Sequence, residues 1–189
     1  MHLTTDELLA AGDHLKDAPA DSGRVELIVA RPEPGSRLLL DEAHLDVAAG
    51  LVGDNWLTRG NRRRADGSAD PDAQITVMNI RVAVLVAADP QRIPLAGDQL
   101  FVDLDLSIAN LPVGSTIAIG SAVLLVTAKP HLGCAKFVAR FGEEAMRFVN
   151  SREGRAHRWR GMNTSVLEPG TVRRGDVITV KTCQTVASL

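Results

Sequence analysis

The chain contains many short apolar runs separated by Gly-Asp or Pro-Gly turns, and only one stretch with a clear helical period. Residues 100–106 alternate strictly, with Asp103 and Asp105 opposite the apolar positions, which predicts a half-buried strand. Helices are too few for a doubly wound sheet. The pattern therefore predicts a mainly β (α+β) fold, a closed or nearly closed β-barrel with a few packed helices, because closure removes exposed strand edges.

Length and composition predict a single domain with an aliphatic core. A chain of 189 residues is long enough to bury a core without disulfides or metal. Aromatic residues make up 3% and Tyr is absent, so Val, Leu, Ile and Ala must fill the core. We predict an N-terminal helical extension over residues 1–22, begun by a Thr cap, one domain over 23–183 and a tail over 184–189.

Charge and cysteine content exclude several classes of protein. A net charge of −2 and a pI near 6.2 do not favour nucleic-acid binding. Two cysteines do not make a disulfide framework. The first twenty residues lack the apolar core of a signal peptide, and no apolar run is long enough to span a membrane. These features predict a cytoplasmic protein that binds neither nucleic acid nor membrane.

The junction at residues 129–137, KPHLGCAKF, connects a predicted strand to the predicted helix. The strand is the apolar run 122–128, and the helix follows from Phe137, Phe141, Ala145 and Phe148, spaced by four, four and three residues. Cys134 is therefore expected in or near the first turn of the helix.

A cysteine at that place has a chemical consequence. Free N–H groups and the positive end of the helix dipole favour the thiolate, and Lys129, Lys136 and a protonated His131 would act in the same direction. A thiolate attacks electrophiles and binds soft metals. The alternative is that Cys134 is a small buried apolar side chain, as free cysteines often are.

A second candidate segment is the long irregular stretch that begins near residue 54. It carries Arg59, Arg62, Arg63 and Arg64 beside Trp56. Loops of this length in compact domains are either functional or disordered. The guanidinium groups suit a phosphate, and the alternative is a solvated, mobile loop.

Taken together, these segments resemble the MOSC domain family, which is named for the C-terminal domain of molybdenum cofactor sulfurase. The resemblance covers roughly residues 24–181 and follows the family's order of elements. Its motifs are GLVGD at 50–54, QITV at 74–77, GDQL at 97–100, LPVG at 111–114, Cys134, RGMN at 160–163 and GTVRRGD at 170–176.

The resemblance implies a barrel-like β fold and one cysteine used in sulfur or molybdenum chemistry, which corresponds to Cys134. In the family this thiol is thought to carry sulfur as a persulfide or to bind molybdenum in a pterin cofactor, and some members reduce N-hydroxylated compounds. Many members have Pro directly before the cysteine, where this chain has Gly133. Cys183 matches no family position and is interpreted as structural or incidental.

The resemblance also limits the partners. Members that reduce substrates through a fused iron–sulfur domain need further cysteines, because such clusters are usually held by four. With two cysteines, this chain would depend on a separate electron-donor or sulfur-donor protein. It also has no room for the extra N-terminal β domain of longer relatives, which indicates a stand-alone, bacterial-type member.

Two functions follow from the resemblance. The first is a molybdopterin-type cofactor protein, an oxidoreductase that acts on N-hydroxylated or similar small molecules through a thiolate–molybdenum centre at Cys134. The alternative is a non-catalytic sulfur carrier, with a persulfide on Cys134, or a cofactor-handling protein. A thiol hydrolase with His131 or His157 as the base is a third hypothesis, although no acidic residue that would orient the base is evident nearby.

A pterin phosphate would need cationic or N–H-rich partners. The candidates are His131, Lys136, Arg158 and Arg160, with Asn163 as a hydrogen-bond partner of the pterin. All of these except Lys136 have a simpler interpretation. His131 would be a turn histidine bonded to backbone, the two arginines would belong to a solvated basic loop, and Asn163 would be a turn residue at a strand edge.

Overall fold

A computed structural model describes residues 3–181 of the chain. Cys183 and the predicted tail lie outside this range, and the predicted division into extension, domain and tail stays a prediction. Within residues 3–181 no helix is long and apolar enough to cross a membrane.

Eleven strands form the framework within the described residues. They are β1 (Ser22–Ala30), β2 (Leu38–Leu40), β3 (Glu42–Asp46), β4 (Gly50–Leu51), β5 (Ile75–Asn79), β6 (Leu100–Asp103), β7 (Thr116–Ile119), β8 (Ala122–Val126), β9 (Met162–Glu168), β10 (Gly170–Arg173) and β11 (Val177–Lys181).

Six α-helices and two 3₁₀ segments connect or cover these strands in the described part. The helices are α1 (Thr5–Ala10), α2 (Gly12–Lys16), α3 (Trp56–Arg59), α4 (Ile80–Ala87), α5 (Ala135–Asn150) and α6 (Arg152–Ala156), and the 3₁₀ segments are Pro71–Ala73 and Pro90–Ala96. Thr4 caps α1 as the sequence predicts, through a capping box with Glu7.

Seven strands close into the predicted barrel. Their order is β11-β7-β8-β9-β5-β6-β1, and a pairing between β1 and β11 completes the ring. Only β5 and β6 are parallel among these pairs, and α4 with the 3₁₀ segment Pro90–Ala96 forms their crossover. β2 extends the sheet beyond β1, and β10, β3 and β4 form a separate small sheet.

Two apolar clusters hold the fold together. The cluster inside the barrel contains only Val, Leu, Ile, Ala and Met among its buried members, as the composition predicts. The second cluster lies between the barrel and the helices, and all four phenylalanines and Trp159 belong to it. The aromatic residues therefore attach the helical layer to the outside of the barrel, where larger side chains fill the gap between unlike elements.

The alternation over residues 100–106 predicted a half-buried strand, and this is wrong in part. β6 ends at Asp103, and Phe101 on its other face is fully buried. Helices cover that face, so both faces of β6 are buried. The apolar run after β5 forms α4, which begins at the Asn79 cap.

α5 is less regular than its period predicts. Gly142 has non-helical angles (φ 87°, ψ 168°), so the helix is interrupted between Phe141 and Glu143. The aromatic spacing nevertheless keeps Phe137, Phe141 and Phe148 on the buried side. The N-terminus of α5 borders a cleft beside the barrel.

Candidate functional site

Cys134 is the N-cap residue of α5, as the sequence predicts, and its side chain is exposed. The alternative of a buried apolar cysteine is therefore wrong. The preceding loop runs from the end of β8 through Pro130 and Gly133, and Asn150 at the end of α5 holds the backbone of Gly133. The thiol is thus presented at the start of a helix, on a loop that the same helix fixes.

The thiol lies in a cleft of about 240 Å³, which we name the cationic pocket. Its lining comes from the end of β1 and the following loop, α3, the 3₁₀ segment before β6, and α5. Glu33 is the one acidic residue among the lining residues in the described part of the chain. The positively charged lining residues are Arg31, Arg37, Arg59, Lys136, Arg140 and Arg160.

Arg31 is fixed in the wall by a fully buried carboxylate. Its guanidinium donates to both oxygens of Asp54, at 2.8 and 3.0 Å, and also to the carbonyl of Gly97 at 2.7 Å. The side chain of Asp54 has no exposed surface. This bidentate pair joins the end of β1 to the turn after β4 and to the segment before β6.

Four of the cations have no such partner. Within residues 3–181, Arg37, Arg59, Lys136 and Arg140 form no ion pair with a carboxylate. Burial, and then the positive charges of neighbouring arginines, lowers the pKa of both Arg37 and Arg59. An anion bound among them would relieve this repulsion.

Gly97 shows how closely two of these groups approach each other. It has a φ of +92°, and a Cβ at this position would meet Arg37 Nη2 and Arg140 Nη1, each at 3.5 Å. Both guanidinium groups therefore border a small space beside Gly97 that no side chain fills. Fork-shaped donors around such a space match the oxygens of a phosphate.

Asp98 connects two of the predicted site residues, His131 in the cysteine loop and Arg160 just before β9. It is fully buried, and one oxygen lies 2.7 Å from His131 Nε2 and the other 2.7 Å from Arg160 Nη1. Burial opposes ionisation of Asp98, but the charge of Arg160 and the hydrogen bonds of both partners outweigh it, so its pKa lies well below the usual range. Asp98 is therefore a carboxylate that orients both side chains.

The lowered pKa of His131 favours a neutral ring over the protonated form that the sequence analysis considered. Burial, and then the charge of Arg160, lowers its pKa although Asp98 acts in the opposite direction. Because the carboxylate of Asp98 can only accept, Nε2 carries the proton and Nδ1 keeps a lone pair. The interpretation as a turn histidine bonded to backbone is also wrong, since its partner is a carboxylate.

Arg160 is buried, so the interpretation as part of a solvated loop is wrong for this residue. Its second nitrogen donates to the carbonyl of Ala96 at 3.0 Å, and its guanidinium lies 5.1 Å from the centre of the Phe137 ring. Its Nε has no hydrogen-bond partner among the described residues. Arg160 thus links the barrel to the first turn of α5.

The remaining predicted residues lie elsewhere. Arg158 and Lys129 line a second cleft, on the other side of His131 and Arg160, and Lys129 pairs with Asp70. Asn163 lies within β9, is buried, and donates its amide to the carbonyls of Lys129 and Pro130, each at 3.2 Å. Asn163 lines neither cleft. Its two hydrogen bonds hold the backbone of the loop that leads to Cys134.

A thiol hydrolase needs a base paired with Cys134 and an acid that orients this base. Only the acid is in place. Asp98 orients His131, yet no hydrogen bond joins Cys134 to a histidine among residues 3–181. His157 stacks on Trp159, with 5.9 Å between ring centres, and lines neither cleft. The thiol and the imidazole therefore share a pocket without forming a nucleophile–base pair.

The structure brings together four of the predicted residues: Cys134, His131, Lys136 and Arg160. Sequence reasoning missed Asp98 and the arginines Arg31, Arg37 and Arg140. The GDQL motif contained a signal for Asp98, because an acid directly before a buried strand needs a partner. From the arginine-rich loop only Arg59 lines the cationic pocket, whereas Arg62 and Arg63 are exposed outside it.

Metal binding by protein side chains alone finds no support in this part of the chain. Residues 3–181 contain no group of three or more His, Cys, Asp or Glu side chains positioned around one ion. The protein would supply one soft ligand, Cys134, and a cofactor would have to bring the others.

Comparison with known proteins gives the fold and the family. The crystal structure of YuaD from Bacillus subtilis superposes with a TM-score of 0.66 at 19% identity, over 86% of this chain and 97% of that one. YiiM from Geobacillus stearothermophilus gives 0.58 at 13% identity, over 87% and 78%, and YiiM from Escherichia coli gives 0.55 at 19% identity, over 84% and 70%. None of the curated proteins matches this sequence.

The MOSC domain profile matches residues 71–179, more than half of the chain, including the β5–β6 crossover, the cysteine loop and α5. The closed barrel, the order of motifs and this match agree, and the family is associated with binding of the molybdenum cofactor. The chain belongs to the MOSC domain family.

Proposed function

We propose that this protein binds a molybdopterin-type molybdenum cofactor in the cationic pocket, with the Cys134 thiolate as a ligand of the metal. The observation that carries the proposal is an exposed thiol in a cleft with four cations that have no carboxylate partner in the described structure. A soft thiolate suits molybdenum, and the unpaired cations suit the phosphate of the pterin.

The residues present fit such a group in charge and in space. The gap beside Gly97, bordered by Arg37 and Arg140, would hold phosphate oxygens, and Arg59 and Lys136 would neutralise remaining charge. Arg31 and Arg160 are already neutralised by Asp54 and Asp98, so their role is to shape the wall. A phosphate monoester carries close to two negative charges, fewer than the four unpaired cations can offset.

The finer proposal is a reductase for N-hydroxylated or similar small molecules. When bound, the cofactor would supply a redox-active metal centre that receives electrons from a separate donor protein. Reduction of an N-hydroxyl group to the amine consumes two electrons and two protons and releases water. His131 can take up a proton from solvent at Nδ1 and pass it on, because Asp98 holds the ring by its other nitrogen.

The test is the metal and pterin content of protein purified without oxygen from a host with active cofactor synthesis. We expect near-stoichiometric molybdenum and pterin in the wild type, and loss of molybdenum in Cys134→Ala. Cys183→Ala is the matched control for removal of a thiol and should keep the metal. Molybdenum retained in Cys134→Ala would contradict the proposal.

The alternative is a non-catalytic sulfur carrier, which the exposure of Cys134 supports because a donor protein can approach the thiol directly. Metal-free wild type would favour it. Exposure to a cysteine desulfurase and free cysteine should then add the mass of one sulfur atom to wild type and to Cys183→Ala. If Cys134→Ala gains the same mass, the sulfur is not carried on Cys134.

A further inference from the structure

A second cleft, of about 330 Å³, lies on the far side of His131 and Arg160, and we name it the apolar pocket. These two residues line both pockets and form the wall between them. The rim is partly exposed and the floor is buried, with Val149 and Met162 at 1% and 2% exposure. Its main apolar lining residues are Ile108, Val113, Pro130, Leu132, Val149 and Met162.

The rim exposes large apolar side chains next to the cavity. Ile108 is 51% exposed, Val113 57% and Leu132 44%. A ligand with an apolar body would cover these side chains and remove their surface from water, which is the main source of affinity in small-molecule pockets. The volume is at the small end for such pockets and suits a body of one or two rings.

The charged groups of the apolar pocket are all cations, and none of its lining residues in the described structure is acidic. Lys129 and Arg160 are neutralised by Asp70 and Asp98. Arg155 and Arg158 have no carboxylate partner within residues 3–181; Arg158 donates only to the carbonyls of Leu106 and Leu111 and more weakly to Met162. Burial lowers the pKa of Arg158, as expected for a partly buried guanidinium with no carboxylate beside it.

We propose that the apolar pocket binds a small carboxylate with an apolar, ring-sized body, and that Arg158 receives the carboxylate. The apolar rim recognises the body, and the guanidinium, anchored by one nitrogen to two carbonyls, keeps other N–H groups for a carboxylate. The site is separate from the cationic pocket and needs no metal, so this proposal does not depend on the proposed cofactor.

The test uses cofactor-free, full-length protein and three probes with the same body. Naphthoate carries a carboxylate, naphthalenemethanol is neutral, and naphthylmethylammonium is a cation. Calorimetric titration should give saturable binding of naphthoate, at least about tenfold tighter than naphthalenemethanol, since a hydrogen-bonded charge pair contributes that much. Binding of the neutral alcohol or of the ammonium probe that equals naphthoate binding, or no saturable binding of naphthoate, would overturn the proposal.

Two variants locate the binding site. Val113→Asp places a negative charge on the rim. It should weaken naphthoate binding about tenfold or more, because the new carboxylate repels the carboxylate of the ligand. Val177→Asp is the matched control, because Val177 is 55% exposed and lines neither pocket, and it should bind as the wild type does. Equal loss in both variants would contradict the assignment.

Two further measurements test the role of Arg158 and the position of the bound naphthoate. Arg158→Gln should reduce naphthoate binding but leave naphthalenemethanol binding unchanged, and methyl NMR of Ile108 and Leu132 should shift with naphthoate in a folded spectrum. Naphthoate could instead occupy the cationic pocket. In that case Arg37→Gln would abolish binding while Val113→Asp would not, and the proposal would be wrong.

Discussion

Asn150, the last residue of α5, clamps the backbone of Gly133, which lies just before the helix begins. Its side-chain oxygen accepts from the Gly133 N–H at 2.9 Å and its amide donates to the Gly133 carbonyl at 3.2 Å. The two ends of one helix are thereby joined through the loop that carries Cys134. A Pro at position 133, as in many family members, has no N–H and would remove the first of these bonds. Both hydrogen bonds to Asn150 can therefore form only where position 133 is not Pro.

Replacement of Asn150 by Leu should destabilise the protein by about 1–3 kcal/mol, because two hydrogen bonds to backbone are lost. Urea unfolding measures the change. Asn150→Asp keeps the acceptor for the Gly133 N–H and should lose less stability than Asn150→Leu. Unchanged stability in Asn150→Leu would show that the clamp contributes nothing.

Asp98→Asn should be among the most damaging single substitutions. It removes the buried negative charge that balances Arg160, and breaking a buried pair typically costs about 3–5 kcal/mol. Asp103→Asn is the matched control, because Asp103 also pairs with an arginine, Arg81, but is 31% exposed. Because this pair is partly exposed to solvent, which screens its charges, Asp103→Asn should cost clearly less stability than Asp98→Asn. Similar losses in both variants would refute the argument.

Stability should fall as the pH decreases from about 7 to 5, partly through His131. The folded-state pKa of His131 is lowered, whereas the unfolded chain takes up a proton near pH 6.5. Its contribution is therefore complete above that pH and is lost as the pH falls towards the folded-state pKa, by at most about 1.4 kcal/mol per pH unit. Asp98, whose pKa is also lowered, adds a further loss only below about pH 4.

The measurement is the free energy of unfolding across this range. His131→Gln should flatten the pH dependence between about pH 7 and 5. His44→Gln removes an exposed histidine from β3 and should leave the slope as in the wild type. A slope that is unchanged in His131→Gln would mean that His131 titrates alike in both states.

Inorganic phosphate should stabilise the cofactor-free protein, because it can enter the gap between Arg37 and Arg140. Thermal unfolding with increasing phosphate at constant ionic strength measures this effect. Arg37→Gln and Arg140→Gln should each weaken phosphate binding about tenfold or more, since each removes a charge-assisted hydrogen bond. Arg62→Gln removes an exposed arginine outside the pocket and should have no effect; an equal effect would indicate non-specific charge screening.

Local sequence patterns determined much of the fold. Short apolar runs between Gly and Pro turns predict strands, and the spacing of Phe137, Phe141 and Phe148 predicts α5, because both depend on side-chain period and turn chemistry within a few residues. The same reasoning placed Cys134 at the start of a helix. Four residues of the cationic pocket could be proposed from the sequence because they lie in or beside recognisable motifs. They are Cys134, His131, Lys136 and Arg160.

Only the tertiary structure decided which charges share a pocket and which are already paired. Arg37 and Arg140 are far apart in the chain, and they meet beside Gly97 because each donates to a carbonyl of the 3₁₀ segment Pro90–Ala96. Arg158 and Arg160 are neighbours in sequence, yet only Arg160 reaches Asp98 and the cationic pocket. Pairing, burial and pKa depend on contacts between distant segments, and no local pattern contains that information.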